Sequence, residues 1–153
     1  LVLEVSQLTD EAIGKYLSIA RRAHAVLLDK QLAESDISHG QILLLATLYQ
    51  EDGICQQTLC QMYNLNKAAV GRSLNKLNKI GFVTKETDPQ DKRKKLIYLT
   101  SKAKDFETEF REILEASEKK LRSDLSEEEI ETFLRVIKKI CSNLGANVEN
   151  QEG

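Results

Sequence analysis

Apolar residues recur at spacings of three and four along most of this chain, a pattern that indicates amphipathic helices. The first such run predicts a helix over residues 8–33, which at 1.5 Å per residue would be about 39 Å long. The second run, over residues 38–50, is apolar nearly all round and predicts a buried, central helix. Further helices are predicted over residues 56–63, 67–79, 101–122 and 126–144.

Two short strands are predicted over residues 82–86 and 95–100, on either side of a polar loop that contains the only proline of the chain. Asn64 is placed to end the third helix in the left-handed conformation, and Asn66 to cap the fourth. Gly81 is placed to end the fourth helix. The sequence therefore predicts a mainly α fold in which a small β-hairpin follows a helix-turn-helix.

Charge is distributed unevenly along the chain. The whole sequence carries a net charge of −2, yet the segment from Lys67 to Lys95 has nine basic and three acidic residues, a local net charge of +6. The rest of the chain therefore carries −8, and no Lys or Arg lies between Lys30 and Lys67. Because a protein neutralises phosphates only where it touches them, this basic segment favours a nucleic-acid partner.

The helix predicted over residues 67–79 has one apolar face and one basic face. In a helix-turn-helix the second helix enters the major groove of DNA, led by its N-terminal residues. Arg72 is predicted to contact guanine and Asn75 adenine through paired hydrogen bonds, whereas the lysines are assigned to phosphates. The predicted DNA contacts around this helix are Asn66, Lys67, Ala68, Ala69, Arg72, Asn75, Lys76 and Lys79.

The loop of the predicted hairpin brings four positive charges together at residues 92–95. The simplest alternative is that both basic faces are solvated surfaces. We favour a polyanionic partner, because four adjacent positive charges repel one another when nothing neutralises them. The residues of the loop assigned to DNA are Asp91, Lys92, Arg93, Lys94 and Lys95.

The order of these elements resembles the MarR family of winged helix-turn-helix transcription regulators, from about residue 8 to about residue 144. The resemblance is most specific in Asp88-Pro89-x-Asp91-x-Arg93, which is followed by Ile97-x-Leu99-Thr100. It implies that Arg93 lies at the tip of the wing and enters the minor groove. It also implies that Asp91 holds this arginine through a salt bridge.

The same resemblance implies a homodimer with a specific division of the chain. Residues 1–35 would form an N-terminal dimerisation region, residues 36–100 the winged helix-turn-helix, and residues 101–145 the C-terminal dimerisation helices. Residues 146–153 are polar and are predicted to be a disordered tail. A small-molecule effector would bind between the dimerisation region and the winged helix, and the residues assigned to that cleft are Tyr16, Arg21, His24, His39 and Tyr49.

Other chemistry finds little support in the sequence. No apolar run approaches the ~18 residues of a membrane span and no signal-peptide pattern occurs, so we predict a cytoplasmic protein without membrane contact. No paired carboxylates with a supporting histidine, no glycine-rich phosphate loop and no metal motif appear in the sequence. We therefore predict that the protein is not an enzyme and needs no cofactor or metal.

The three cysteines are not spaced as a zinc site or a redox motif and fit a reducing cytosol. Cys60 and Cys141 are predicted to be small, buried hydrophobic residues. Cys55 stands where relatives carry a capping Ser or Thr, so the helix after it is expected to start weakly. If any cysteine reacts with oxidants, Cys55 is the one predicted to do so, because thiolates are favoured near helix N-termini.

The leading hypothesis is a dimeric, sequence-specific regulator, a repressor that binds a pseudo-palindromic operator and is released by an effector. Two recognition helices would then lie about one DNA turn, roughly 34 Å, apart. The alternative is a winged-helix module that binds protein rather than DNA, which would leave the basic segment without a role. Binding that does not depend on salt would favour this alternative. The operator, the effector and the direction of regulation do not follow from the sequence.

Overall fold

The computed structural model describes residues 11–146 and residue 148. This part of the chain is mainly helical, with a small three-stranded antiparallel sheet, which confirms the predicted fold class. The chain divides into two compact units, Leu1–His39 and Gly40–Gly153. None of the described helices is both long enough and apolar enough to cross a membrane.

The first unit contains helix α1 (Ile13–Leu32), which is followed by a 3-10 turn at Ala33–Ser35. The predicted start of this helix at residue 8 is wrong, because Ala12 has an extended backbone with φ −75° and ψ 126°. Ala12 has no side chain that could cap the helix, so α1 begins without a capping hydrogen bond. Residues 8–10 lie outside the described part of the chain.

Three helices precede the wing along the chain. They are α2 (His39–Gln50), α3 (Gln56–Met62) and α4 (Lys67–Lys79). The side chain of Asn66 caps α4 by accepting a hydrogen bond from the N–H of Ala68 at 2.8 Å, as predicted. Asn64 follows the end of α3 and has the left-handed conformation predicted for it, with φ 49°.

The sheet consists of β1 (Ile54–Cys55), β2 (Val83–Thr87) and β3 (Lys95–Leu99), in the order β1-β3-β2. Both predicted strands are confirmed within one residue at each end. Strand β1 was not predicted, because two residues are too short to establish an alternating pattern. It pairs through Ile54 opposite Ile97, which joins the start of α3 to the wing.

Two long helices complete the described chain, α5 (Ser101–Arg122) and α6 (Glu127–Asn143). Thr100 caps α5 and Ser126 caps α6, the latter in a reciprocal capping box. The predicted tail over residues 146–153 lies almost wholly outside the described residues.

The core of the second unit determines which face of α4 is left outside. Helix α4 contacts α3 and β2, while α5 contacts β3. Leucines of α2 and α4 fill the interior together with Ile97 of β3 and Phe110 of α5. Since every inward position of α4 is apolar, its polar positions are turned toward solvent. The largest fully buried side chains of the helices and strands in this unit are Leu44, Leu45, Leu48, Leu59, Val70, Leu74, Leu77, Val83, Ile97 and Phe110.

Candidate nucleic-acid interface

Helix α4 presents a polar face to solvent. Val70, Leu74 and Leu77 are each at most 1% exposed, so the apolar arc predicted for this helix is confirmed. Most predicted DNA contacts of this helix lie on the opposite, exposed side, and Ala69 is half-buried. The carbonyl oxygen of the Asn66 side chain accepts the capping hydrogen bond, so its NH2 group is the end of the amide that could donate to an acceptor outside the helix. The exposed members are Asn66, Lys67, Ala68, Arg72, Asn75, Lys76 and Lys79.

Lys85 of strand β2 reaches across to α4. Its Nζ donates a hydrogen bond to Oδ1 of Asn75 at 2.5 Å. Lysine has no acceptor, so this contact fixes which end of the Asn75 amide faces the strand. Sequence reasoning counted Lys85 in the basic segment but did not assign it to the site, because residues ten positions apart become neighbours only through the packing of β2 on α4.

The tip of the wing is organised around Asp91. Its Oδ1 lies 3.5 Å from Nε of Arg93 and accepts the backbone N–H of the same residue at 3.1 Å. The arginine side chain is 94% exposed, whereas the Asp91 side chain is 35% exposed. An exposed ion pair of this kind adds little stability, so its main effect is to limit the orientations of the guanidinium. Lys92, Lys94 and Lys95 are exposed beside it.

A cleft of about 580 Å³ lies between α3 and the wing, and we call it the α3–wing cleft. Four cations line it: Lys67 from the start of α4, and Arg93, Lys94 and Lys95 from the wing. Amide side chains of α3 and the thiols of Cys55 and Cys60 complete its walls. None of the described residues that line it is acidic. Helix α4 and the wing therefore contribute positive charge to one opening.

The cysteine predictions need a correction. Cys55, Cys60 and Cys141 are free and all three are half-buried, so the prediction that Cys60 and Cys141 are buried hydrophobic residues is wrong. On α3 the inward position is taken by Leu59, which is fully buried, and its neighbour Cys60 faces the cleft. Cys55 precedes α3 and makes no side-chain capping bond, as expected. No group of three metal-ligating side chains occurs among residues 11–146.

The five residues assigned to an effector cleft belong to different units. Tyr16, Arg21, His24 and His39 lie in the first unit, where Nδ1 of His39 is 2.9 Å from Oδ2 of Asp29. Tyr49 lies in the second unit. None of the five lines the α3–wing cleft. The effector cleft therefore stays a prediction.

Tyr49 has a structural role within the second unit. Its hydroxyl donates to the carbonyl of Ala103 at 2.5 Å, and its ring packs against Phe110 at 5.3 Å between centroids. Burial raises the pKa of this hydroxyl, and the nearby carboxylate of Glu107 raises it further. The hydroxyl is therefore a proton donor at neutral pH, tied to the first turn of α5.

Comparison with known proteins gives a consistent result. Residues 37–95 match the family model described as the MarR family. The chain is 30% identical over 113 residues to YdgJ of Bacillus subtilis, an uncharacterized HTH-type transcriptional regulator. The aligned region covers 74% of this chain and 68% of that protein. The family-model match covers the helix-turn-helix and the wing as far as Lys95.

Two solved structures extend the likeness to most of the chain. A MarR transcriptional regulator from Methanosarcina mazei Go1 is 28% identical in sequence and superposes with a TM-score of 0.78. The superposition covers 88% of this chain and 96% of that one. PcaV from Streptomyces coelicolor, solved with its natural ligand, is 21% identical, with a TM-score of 0.80 over 92% of this chain and 98% of that one. The second likeness concerns the fold alone.

Proposed function

The chain belongs to the MarR family of transcription regulators, and we propose that it is a homodimeric repressor that binds a pseudo-palindromic operator in the cytoplasm. Helix α4 enters the major groove and the wing enters the minor groove beside it. Arg72 and Asn75 read base edges, Arg93 probes the minor groove, and the lysines of both elements hold phosphates. Catalysis has no part in this function.

The observation that carries the proposal is the shared opening of the recognition helix and the wing. Lys67 and the wing cations line the same cleft, while Arg72 is exposed on the outward face of α4. A DNA backbone that runs between the major and the minor groove would lie along these positive charges. Each phosphate contact releases a counterion, so binding should weaken steeply as salt rises.

Exposed apolar residues support the homodimer. Both long helices of the C-terminal part, and α1 in the first unit, expose large apolar side chains on their surfaces. Covering such residues with a second copy removes apolar area from water at about 25 cal/mol per Å². A two-fold axis would then set two α4 helices about 34 Å apart, which matches successive major grooves. The exposed residues are Ile13, Tyr16, Ile19, Val26, Leu121, Leu125, Phe133, Leu134, Val136 and Leu144.

A small-molecule effector completes the proposal. The similarly folded PcaV was solved with its natural ligand, which is the reason to extend ligand control to this chain. The candidate ligand residues remain those assigned from the sequence: Tyr16, Arg21, His24, His39 and Tyr49. Of these, Tyr49 would have to exchange its bond to Ala103 before its hydroxyl could donate a hydrogen bond to a ligand.

The decisive experiment is selection of genomic DNA fragments by the purified protein, followed by fluorescence anisotropy on the selected site. Arg93→Ala should weaken binding to selected and random sequences alike, whereas Arg72→Ala should chiefly reduce the preference for the selected site. Lys119→Ala removes an exposed cation of α5 and serves as the matched control. Wild-type affinity in both arginine variants would show that DNA docks elsewhere or not at all.

A further inference from the structure

Two cysteines, Cys55 of β1 and Cys60 of α3, line the α3–wing cleft. Cys55 ends strand β1 opposite Leu96 of β3, and Cys60 lies one turn into α3. Both residues are half-buried and free, and both line the cleft. This arrangement differs from an isolated surface cysteine, because a cavity with two nucleophilic groups in its wall can hold a molecule while either group reacts with it.

The fold does not need the sulfur of Cys55. The side-chain oxygen of a serine or threonine at the residue before a helix accepts a hydrogen bond from one of the first backbone N–H groups, but the Cys55 side chain makes no such bond to α3. Apolar burial does not explain Cys60 either, since the neighbouring Leu59 takes the fully buried position. Both thiols are therefore available for chemistry at the cleft.

The electrostatics of the cleft select for anions. Lys67, Arg93, Lys94 and Lys95 line the same cleft as the two cysteines, and no acidic residue is among the described lining residues. Clefts lined by one sign of charge raise the local concentration of the opposite ion. Reactive cysteines characteristically lie in such electropositive, partly exposed surroundings. A volume of about 580 Å³ suits a small organic molecule rather than a single ion.

We propose that the α3–wing cleft is a thiol-modification site, at which Cys55 or Cys60 forms a mixed disulfide with a small anionic disulfide. The protein thiolate attacks one sulfur of the reagent, so that the reagent S–S bond breaks and a new S–S bond to the protein forms. The other half leaves as a thiolate and takes up a proton. The reagent is itself the oxidant, and a free thiol reverses the reaction by the same exchange.

The consequence for DNA rests on the proposed function. The adduct places a bulky group with negative charge between Lys67 and Arg93, the residues that face the DNA backbone in that function. It would fill the space that a phosphate chain needs and would repel it. Modification therefore switches DNA binding off, and reduction restores it, without any change in the fold of the dimer.

The test uses three full-length variants that each keep one cysteine, with serine at the other two positions. Each reduced variant is treated with oxidised glutathione, which is anionic, or with 2-hydroxyethyl disulfide, which is neutral, and adducts are followed by intact mass. At least one of the two variants that keep Cys55 or Cys60 should react faster with glutathione disulfide than the variant that keeps Cys141. This preference should shrink with the neutral reagent and in ~1 M salt, where the screening length falls to about 3 Å.

Two results would overturn the thiol site: equal rates at Cys141, or the same preference with the neutral disulfide. Replacement of Lys94 and Lys95 by glutamine should slow only the reaction with glutathione disulfide. DNA binding is then measured before modification, after it and after dithiothreitol. An adduct that binds the operator as tightly as the reduced protein would overturn the switch. Reduced protein that binds no DNA would overturn the proposed function instead, while the mass measurements still decide the thiol site.

Discussion

Lys85 holds the Oδ1 atom of Asn75 at 2.5 Å, so that the first strand of the wing sets the direction of an amide on the recognition helix. An asparagine contacts adenine with both ends of its amide, since it must accept from N6 and donate to N7. With Oδ1 engaged by a lysine, the Asn75 amide would be presented to DNA, in the proposed complex, chiefly as a donor. The adenine contact expected from the sequence therefore competes with a bond inside the protein.

We expect Lys85→Met to shift base preference at the position that Asn75 reads. The wild type should favour bases that present acceptors in the major groove, such as guanine or thymine, and the variant should gain preference for adenine. A paired contact discriminates by about 1–3 kcal/mol, which is roughly 5- to 150-fold in affinity. The measurement is anisotropy against operators with each base at that position. Lys85→Arg keeps a donor and should retain the original preference, and an unchanged preference in Lys85→Met would rule out this role.

Asp91→Asn should separate orientation from charge at the wing tip. The substitution removes the ion pair with Arg93 and also one negative charge near DNA. Affinity for the operator should fall by about 1 kcal/mol, because the guanidinium loses its constraint. Affinity for random DNA should rise slightly, because phosphates are attracted more strongly. If both affinities rise together, Asp91 does not act by orienting the arginine.

Gly53→Ala should destabilise the fold. Gly53 has φ +75°, and an added Cβ would lie 2.8 Å from Cε1 of Tyr98. Strain and overlap together should lower the free energy of unfolding by about 1–3 kcal/mol, as measured by urea denaturation. Gly71→Ala is the matched control, since its Cβ would meet only Nε2 of Gln56 at 3.6 Å. In the middle of α4 it should stabilise the protein by up to about 1 kcal/mol.

Asp52→Ala should loosen the connection between β1 and the wing. Its Oδ1 accepts the backbone N–H of Leu99 at 2.8 Å and that of Gly53 at 3.0 Å. Hydrogen bonds to a charged acceptor contribute about 1.5–3 kcal/mol. Because this carboxylate is partly exposed, we expect the substitution to lower the free energy of unfolding by about 1.5 kcal/mol. Asp52→Asn keeps an acceptor oxygen and should lose less. Equal losses would mean that charge, rather than the hydrogen bonds, is what matters.

Phe133→Asp should dissociate the homodimer. Phe133 is 59% exposed on α6, so the substitution removes little from the core of one chain. A charge at a covered apolar interface is costly, and light scattering after gel filtration should therefore report a monomer. Operator affinity should fall with it, because each subunit then binds one half-site. Arg135→Asp changes an exposed residue of the same helix and is the control; a dimer in both variants would place the interface elsewhere.

Much of this fold follows from local patterns in the sequence. The apolar arc of Val70, Leu74 and Leu77 and the cap at Asn66 involve residues a few positions apart, so propensity and periodicity are enough to predict them. The basic wing beside α4 is also visible, because both are near in sequence.

Other features arise only when distant segments pack together. Strand β1 exists because β3 offers it a partner, and Cys60 is exposed to a cleft because Leu59 takes the inward position of a helix too short to reveal its face. The bond from Lys85 to Asn75 depends on how β2 lies against α4. The sequence alone therefore determined where most helices lie, the cap at Asn66 and the charge of the proposed DNA-binding surface. The tertiary structure decided which polar groups meet there, since hydrogen bonds between elements require distances of about 3 Å that no periodicity encodes.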